Sequence, residues 1–202
     1  WLVARLGRFT ALHPEIEFRM VATGKLIDLS RSDIDCGIRF GNGKWPGVRA
    51  DPIGSRTVLP VAAPALAQRL RTPGDLAHVP IIVDEATMLS WDEWFAAAGI
   101  APAPPRSGPV YSDPALAFEA AVGGQGVLLA VEMMAADALH DGRLAAPFGI
   151  RSTTRHGYWF VTSAERHVPA KVHRFKDWLD AEIAASAGRT APPAVAPAAS
   201  LP

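Results

Sequence analysis

Stretches with an apolar period of two take turns with stretches of helical period along most of the 202 residues, and that alternation leaves few folds open. In EIEFRMV, residues 15 to 21, Ile16, Phe18 and Met20 alternate with Glu15, Glu17 and Arg19, which predicts a strand with one buried face. A short helical segment from Lys25 to Arg31 and an apolar run from Ile34 to Phe40 follow. Strand, helix, strand is the unit from which parallel sheets are built. Ahead of it, WLVARLGRFTALHP places Leu2, Leu6 and Phe9 at helical spacing from the first residue, with no initiator methionine and no capping residue before them. The chain reads as a fragment that begins inside a helix.

The same alternation returns further on. Val58 to Ala62 reads as a strand feeding a short helix, with Pro60 and Pro64 limiting its pairing. Next come strand 80 to 84, helix 91 to 99, strand 109 to 112, helix 113 to 124, strand 126 to 131 and helix 132 to 142. These make a second α/β lobe. A strand at 157 to 163 then leads into a helix after Pro169, whose Val172, Phe175, Leu179 and Ile183 would cover the first lobe. From Ser186 to Pro202 the chain is Ala, Pro and Ser with almost no bulky apolar residue, the composition of a disordered tail.

Charge and cysteine content narrow the function. Twenty Lys and Arg balance twenty Asp and Glu, so the surface is not built mainly to neutralise nucleic-acid phosphates. The single cysteine, Cys36, allows no disulfide framework and no Cys-based zinc site, and a reducing cytoplasm fits. No stretch reaches the roughly 18 to 20 continuous apolar residues of a membrane-spanning helix, and no secretion signal is recognisable. A soluble protein without a membrane partner is expected.

The motifs that could carry chemistry have plain alternatives. IDCGIRFGNGKWPG, residues 34 to 47, suggests a phosphate loop, but Gly41 and Gly43 are one residue apart and Lys44 precedes Trp45. The spacing and the missing hydroxyl both rule out that loop. His13, His78, His140, His156, His167 and His173 show no metal-type pairing, so neither a metal nor another cofactor is expected. Ser112 and Asp113 could suggest a nucleophile with a carboxylate, yet YSDPALA is also a helix start with a cap and Pro114 at the first position. The cap is the preferred reading. Thr23 and Gly24, between a strand and a helix, either meet a polar ligand or form a turn and cap. Gln125 in GGQGV sits where a helix turns into a strand, with a possible polar contact. Trp91, Trp94 and Phe95 fall on helical spacing and read as core, with no basic stripe among them for single-stranded nucleic acid.

Taken in order, WLVARLGRFTALHPEIEF, LIDLSRSDIDCGIRFGNGKWPG, VLPVAAPAL, WDEWFAAAG, SDPALAFEAAVGGQGVLLA, GRLAAPF and FKDWLDAE carry a family resemblance over about residues 1 to 184. The chain resembles the effector-binding domain of LysR-type transcriptional regulators, in the subgroup that includes the glycine-cleavage activator. The resemblance implies an α/β fold of two Rossmann-like lobes joined by two crossing strands, similar to type 2 periplasmic binding proteins. Lobe I would be residues 1 to 59 with 164 to 185, lobe II residues 60 to 163, and the hinges Val61 to Ala63 and Phe160 to Thr162. A small-molecule effector would sit between the lobes, near Thr23, Gly24, Arg39, Gly41, Val61, Ala62, Ser112, Asp113 and Gln125.

The family pattern also places a winged helix-turn-helix, a linker helix and a first sheet strand ahead of Trp1, so the chain is N-terminally truncated on this reading. DNA would be bound only through that N-terminal domain. A homodimer or homotetramer is implied, pairing lobe I of one chain with lobe II of another. The effector would be a small polar metabolite, a carboxylate or an amino acid, since Arg39 and helix N-termini favour anions. Two other classes compete with this reading: a stand-alone solute-binding protein and an enzyme using the same cleft, for which no convergent nucleophile and base are found.

Overall fold

In the computed structural model, residues 1–101 and 106–187 are described, and helix α1, Val3–Leu12, opens the chain. Its apolar face does what the spacing requires: Phe9 is fully buried against helix α6, Ala170–Ala187, through ring contacts with Phe175 and Trp178. Val172 and Leu179 complete this face of α6. Burying each such side chain contributes about 1.5 to 3 kcal/mol, so α1, which has no side-chain cap at its start, is held by packing. Helix α6 takes in the first two residues of the expected tail: Ser186 is buried, and its hydroxyl donates to the Glu182 carbonyl. The rest of that expected tail lies outside the described residues.

The first sheet has the order β1-β8-β2, from strands Cys36–Gly41 (β1), Val48–Ile53 (β2) and Gly157–Ser163 (β8), with β8 antiparallel to both neighbours. Two expectations fail here. Residues 15 to 21 keep their period-two pattern but form no ladder, because a groove of about 670 Å³ separates them from β1 and leaves them no partner. Phe18 still packs on Phe9 and Phe175. Residues 25 to 31 form turns instead of a helix. The Asp28 carboxylate accepts from the backbone N–H and hydroxyl of Ser30, a local bond that competes with helix formation.

The second lobe holds β3, Thr57–Val61, flanked by β6, Leu128–Val131, and β7, Ser152–Thr153, both antiparallel to it. Beside them, β4, Pro80–Asp84, runs parallel to β5, Arg106–Tyr111. Short helix α2, Pro64–Ala67, a 3-10 turn at Pro73–His78, and helices α3, Trp91–Ala97, α4, Pro114–Val122, and α5, Glu132–His140, cover the faces. Trp94 and Phe95 of α3 are buried as the spacing predicts. Among the described residues no helix is long and apolar enough to cross a membrane.

The ladders also move the lobe boundaries. The expected divisions after residues 59 and 163 assign β8 to the second lobe and most of β3 to the first. Yet β8 pairs along its length with β1 and β2, and β3 pairs with β6 and β7. The chain therefore passes between lobes at residues 54 to 56 and 154 to 156, where the Thr154 N–H donates to the Arg56 carbonyl at 3.0 Å. Val61 to Ala63 lie beyond this crossing, inside the second lobe, and Phe160 to Thr162 lie inside the first sheet.

Candidate functional site

Strand direction fixes where a ligand can sit. Gly41, at the carboxyl end of β1, is level with Gly157, the first residue of β8 after the crossing. In the second lobe Val127 runs parallel beside Ile81, and β6 then ends with Val131 opposite Val58, just past the other crossing. Asp84 and Tyr111, paired at the carboxyl ends of β4 and β5, therefore point toward the same junction. Carboxyl ends of strands are where open α/β sheets receive ligands, because loops and helix starts converge there.

Two aromatic side chains of the first lobe reach into this junction. Phe40 and Tyr158 make an edge-on pair with centroids 5.0 Å apart, and both pack against the core of the second lobe. Tyr158 packs on the first-lobe core as well, so one ring joins the two cores. Burial pushes its phenol up to about 12, and the negative charge of Asp84 across the junction adds to the shift. Arg56, in the crossing segment, lays its guanidinium over the Trp159 ring at 5.0 Å, and among the described residues it makes no ion pair.

The glycine loop serves the same architecture. Gly43 has φ of +81°, and a Cβ there would come within 2.4 Å of the Trp159 ring. A Cβ on Gly41 would meet the Trp45 ring at 2.7 Å, and the Gly41 carbonyl accepts a hydrogen bond from the Trp159 indole at 3.0 Å. The loop is shaped by two indoles that sit against its backbone. Arg39 is likewise engaged: its guanidinium donates to the Ile27 carbonyl at 2.8 Å and stands over Trp45, which fixes the turns at 25 to 31 to β1. Desolvation lowers its pKa from the ordinary arginine value.

The expected effector residues do not form one set. Gly41, Ser112 and Asp113 lie at the junction end of their strands. Asp113 is a cap: its carboxylate accepts from the N–H groups of Ala115 and Leu116 at 2.8 and 3.4 Å. Thr23 lines the groove beside β1, and its hydroxyl accepts from the Lys25 N–H, while Gly24 is exposed in the following turn. Val61 and Ala62 are buried, and the Ala62 backbone exchanges both of its hydrogen bonds with Ala145. Gln125 lies before Gly126, whose ideal Cβ would meet the Pro80 carbonyl, at the opposite end of β4 from Asp84. Its amide oxygen accepts from the Tyr111 hydroxyl at 2.6 Å. Nothing in the sequence pattern joins Phe40, Asp84 and Tyr158, since only the register places them together.

Comparison with known proteins identifies the family. The family model described as LysR substrate binding domain matches residues 1–184. The transcriptional activator AmpR of Rhodobacter capsulatus is 34% identical over 184 residues, covering 91% of this chain and 63% of that protein. The glycine cleavage system transcriptional activator of Escherichia coli K12 is 32% identical over 188 residues, covering 92% of this chain and 61% of its own. The chain thus spans about three fifths of the length of these curated relatives. Among solved structures, the effector domain of AmpR from Pseudomonas aeruginosa superposes with a TM-score of 0.79 at 31% identity, covering 94% of this chain and 92% of that one. The AmpR effector-binding domain of Citrobacter freundii gives 0.78 at 25% identity, covering 91% and 92%. With a match that runs from Trp1 into α6, the chain belongs to the LysR substrate-binding domain family and has its two-lobed α/β fold.

Proposed function

We propose that this chain is the effector-sensing part of a LysR-type transcription regulator, and that a small carboxylate or amino acid binds at the lobe junction. The observation that carries the reading is the convergence of the carboxyl ends of β1, β4 and β5 on one point, beside the Phe40 and Tyr158 rings. Asp84 and Arg56 supply opposite charges at that end of the sheets, matching the ammonium and carboxylate of an amino acid. Gly41 and Ser112 add polar backbone or hydroxyl groups, and Asp113 shapes the start of α4. Sensing requires no cofactor and no chemical step, and this reading gives the domain the role of a binding module in a cytoplasmic regulator rather than that of an enzyme. DNA is contacted by an N-terminal domain outside this chain, which fits its balanced charge.

Binding shifts the two lobes only as far as the ligand's affinities for their arrangements differ. That shift reaches DNA through the geometry of an oligomer. Val3 and Leu12 on α1, and Leu116 on α4, are large exposed apolar side chains on opposite lobes, and they support pairing of lobe I with lobe II of a second copy. Sedimentation of the purified chain is expected to give a dimer that Leu116→Glu dissociates.

A thermal-shift screen of amino acids and small carboxylates tests the sensing role. At least one compound is expected to raise the melting temperature, and Asp84→Asn with Arg56→Gln is expected to remove that rise. Indifference of the parent chain to every such compound overturns this assignment.

A further inference from the structure

The lobes also meet away from the aromatic pair, at a charged cluster that ligand sensing does not use. Arg5 on α1 is 4% exposed, an unusual degree of burial for a guanidinium. It donates to both carboxylate oxygens of Asp137 on α5, each at 2.6 Å. Its other neighbours are the Trp1 carbonyl at 2.9 Å, the Ser186 hydroxyl at 3.4 Å and the Glu182 carboxylate at 3.6 Å, with the Trp1 ring under it at 4.3 Å. Helices α1 and α6 belong to the first lobe, where Phe9 and Phe175 share a core. Helix α5 belongs to the second, with Ala135 and Ala138 packed in the same core as Leu59 and Val61. The Arg5–Asp137 pair therefore bridges the lobes, whereas Arg5–Glu182 and Arg8–Glu182 stay within the first.

We propose that Arg5 and Asp137 form an interlobe latch, which holds the lobes as seen here and opens by handing the Arg5 guanidinium to Glu182. A fork-to-fork pair is short-ranged and directional. Rotation about residues 54 to 56 and 154 to 156 that carries α5 more than about 1 Å from α1 takes both bonds beyond hydrogen-bond length. An arginine stranded in such a place would oppose the motion strongly. Glu182 removes that obstacle, because it already lies 3.6 Å from the guanidinium on the lobe that Arg5 keeps. Asp137 then stabilises one arrangement and Glu182 the other. Arg5 has two carboxylates to choose between, and the choice is tied to lobe orientation.

The latch relies on the two-lobe sensing reading only for its effect on ligand affinity, so its test uses no ligand. Amide hydrogen exchange is followed in the 202-residue chain at Thr154, whose N–H bonds to Arg56 across the crossing, and at Val161 inside the first sheet. Asp137→Asn keeps the shape and removes the charge. It is expected to speed exchange at Thr154 about fivefold or more while leaving Val161 within twofold. Glu182→Gln is expected to slow exchange at Thr154, because the released state loses its carboxylate. Arg174→Ala, which removes the exposed pair with Glu15 in the first lobe and touches neither Asp137 nor Glu182, is expected to leave the Thr154 rate unchanged. Equal acceleration at Thr154 and Val161 in Asp137→Asn would mean simple loss of stability and would overturn the latch. An unchanged Thr154 rate in that variant, or acceleration in Glu182→Gln, would overturn it as well.

Discussion

Gly43 and Gly47 both take positive φ, +81° and +72°, but only Gly43 lies against another side chain. A Cβ at position 43 would meet the Trp159 ring at 2.4 Å, whereas position 47 opens to empty space. Left-handed backbone costs a residue with a Cβ about 1 to 2 kcal/mol by itself. Gly47→Ala is expected to lose about that much in urea denaturation, and Gly43→Ala about twice as much, because the indole must also move. Equal losses would mean that Trp159 yields freely. The sequence makes the glycines legible as a turn and excludes a phosphate loop by spacing and by the missing hydroxyl. It does not reveal the indoles, since Trp159 lies 116 positions away and reaches the loop only through the β1–β8 register. Arg5 was hidden for a related reason. An arginine between Leu2 and Leu6 in sequence looks solvated until α5 is seen to bring Asp137 over it.

Helices with strong local signals came out where the pattern put them. The Ser90 hydroxyl accepts from the Glu93 N–H at the start of α3, and Asp113 with Pro114 begins α4 as the cap reading expects. Elements that depend on a remote partner were harder to read. β2, Val48–Ile53, alternates only from Val48 to Asp51 before Pro52 interrupts the pattern, yet its ladder with β8 holds it extended. Residues 15 to 21 show the converse, a strand pattern without a ladder. At the cap, Asp113→Ala is expected to cost about 1 kcal/mol in thermal or urea unfolding, while Asp113→Asn, which caps as well, costs little. A ligand role for the Asp113 charge would instead make both variants lose binding alike. The 3-10 turn has its own cap: Asp75 accepts from the N–H groups of Thr72 and Arg71, and these bonds hold its pKa below the ordinary carboxylate range. A carboxyl depressed in the folded state adds stability above its unfolded pKa and loses it as pH falls through the folded one. Removing the charge with Asp75→Asn is therefore expected to flatten the stability profile on the acid side of pH 4, as urea midpoints measured at stepped pH would reveal.

For the molecule as a whole, the two-lobed architecture is legible because strand and helix patterns repeat, whereas the residues at which the chain passes from one sheet to the other are not. Apolar strands such as Val58 to Ala62 and residues 157 to 163 look alike to any periodicity argument, and only pairing tells which sheet each joins. That pairing puts Tyr158 one residue beyond Gly157 at the crossing, where its ring is shared by both cores. Removing the ring in Tyr158→Ala is expected to cost about 3 to 5 kcal/mol and to uncouple the lobes, so that calorimetry resolves two transitions in place of one. Tyr158→Phe keeps the ring and isolates the hydroxyl. Because burial and Asp84 push the folded phenol up to about 12, the unfolded chain releases this proton first as pH rises through about 10. The unfolded state then binds fewer protons than the folded one, so stability is full below pH 10 and declines between about 10 and 12. Tyr158→Phe is expected to unfold at nearly the parent's urea midpoint at pH 8 and to show a shallower decline over that alkaline window. The same decline in both proteins would place the Tyr158 hydroxyl in water rather than against Asp84, and would take it out of the proposed effector site.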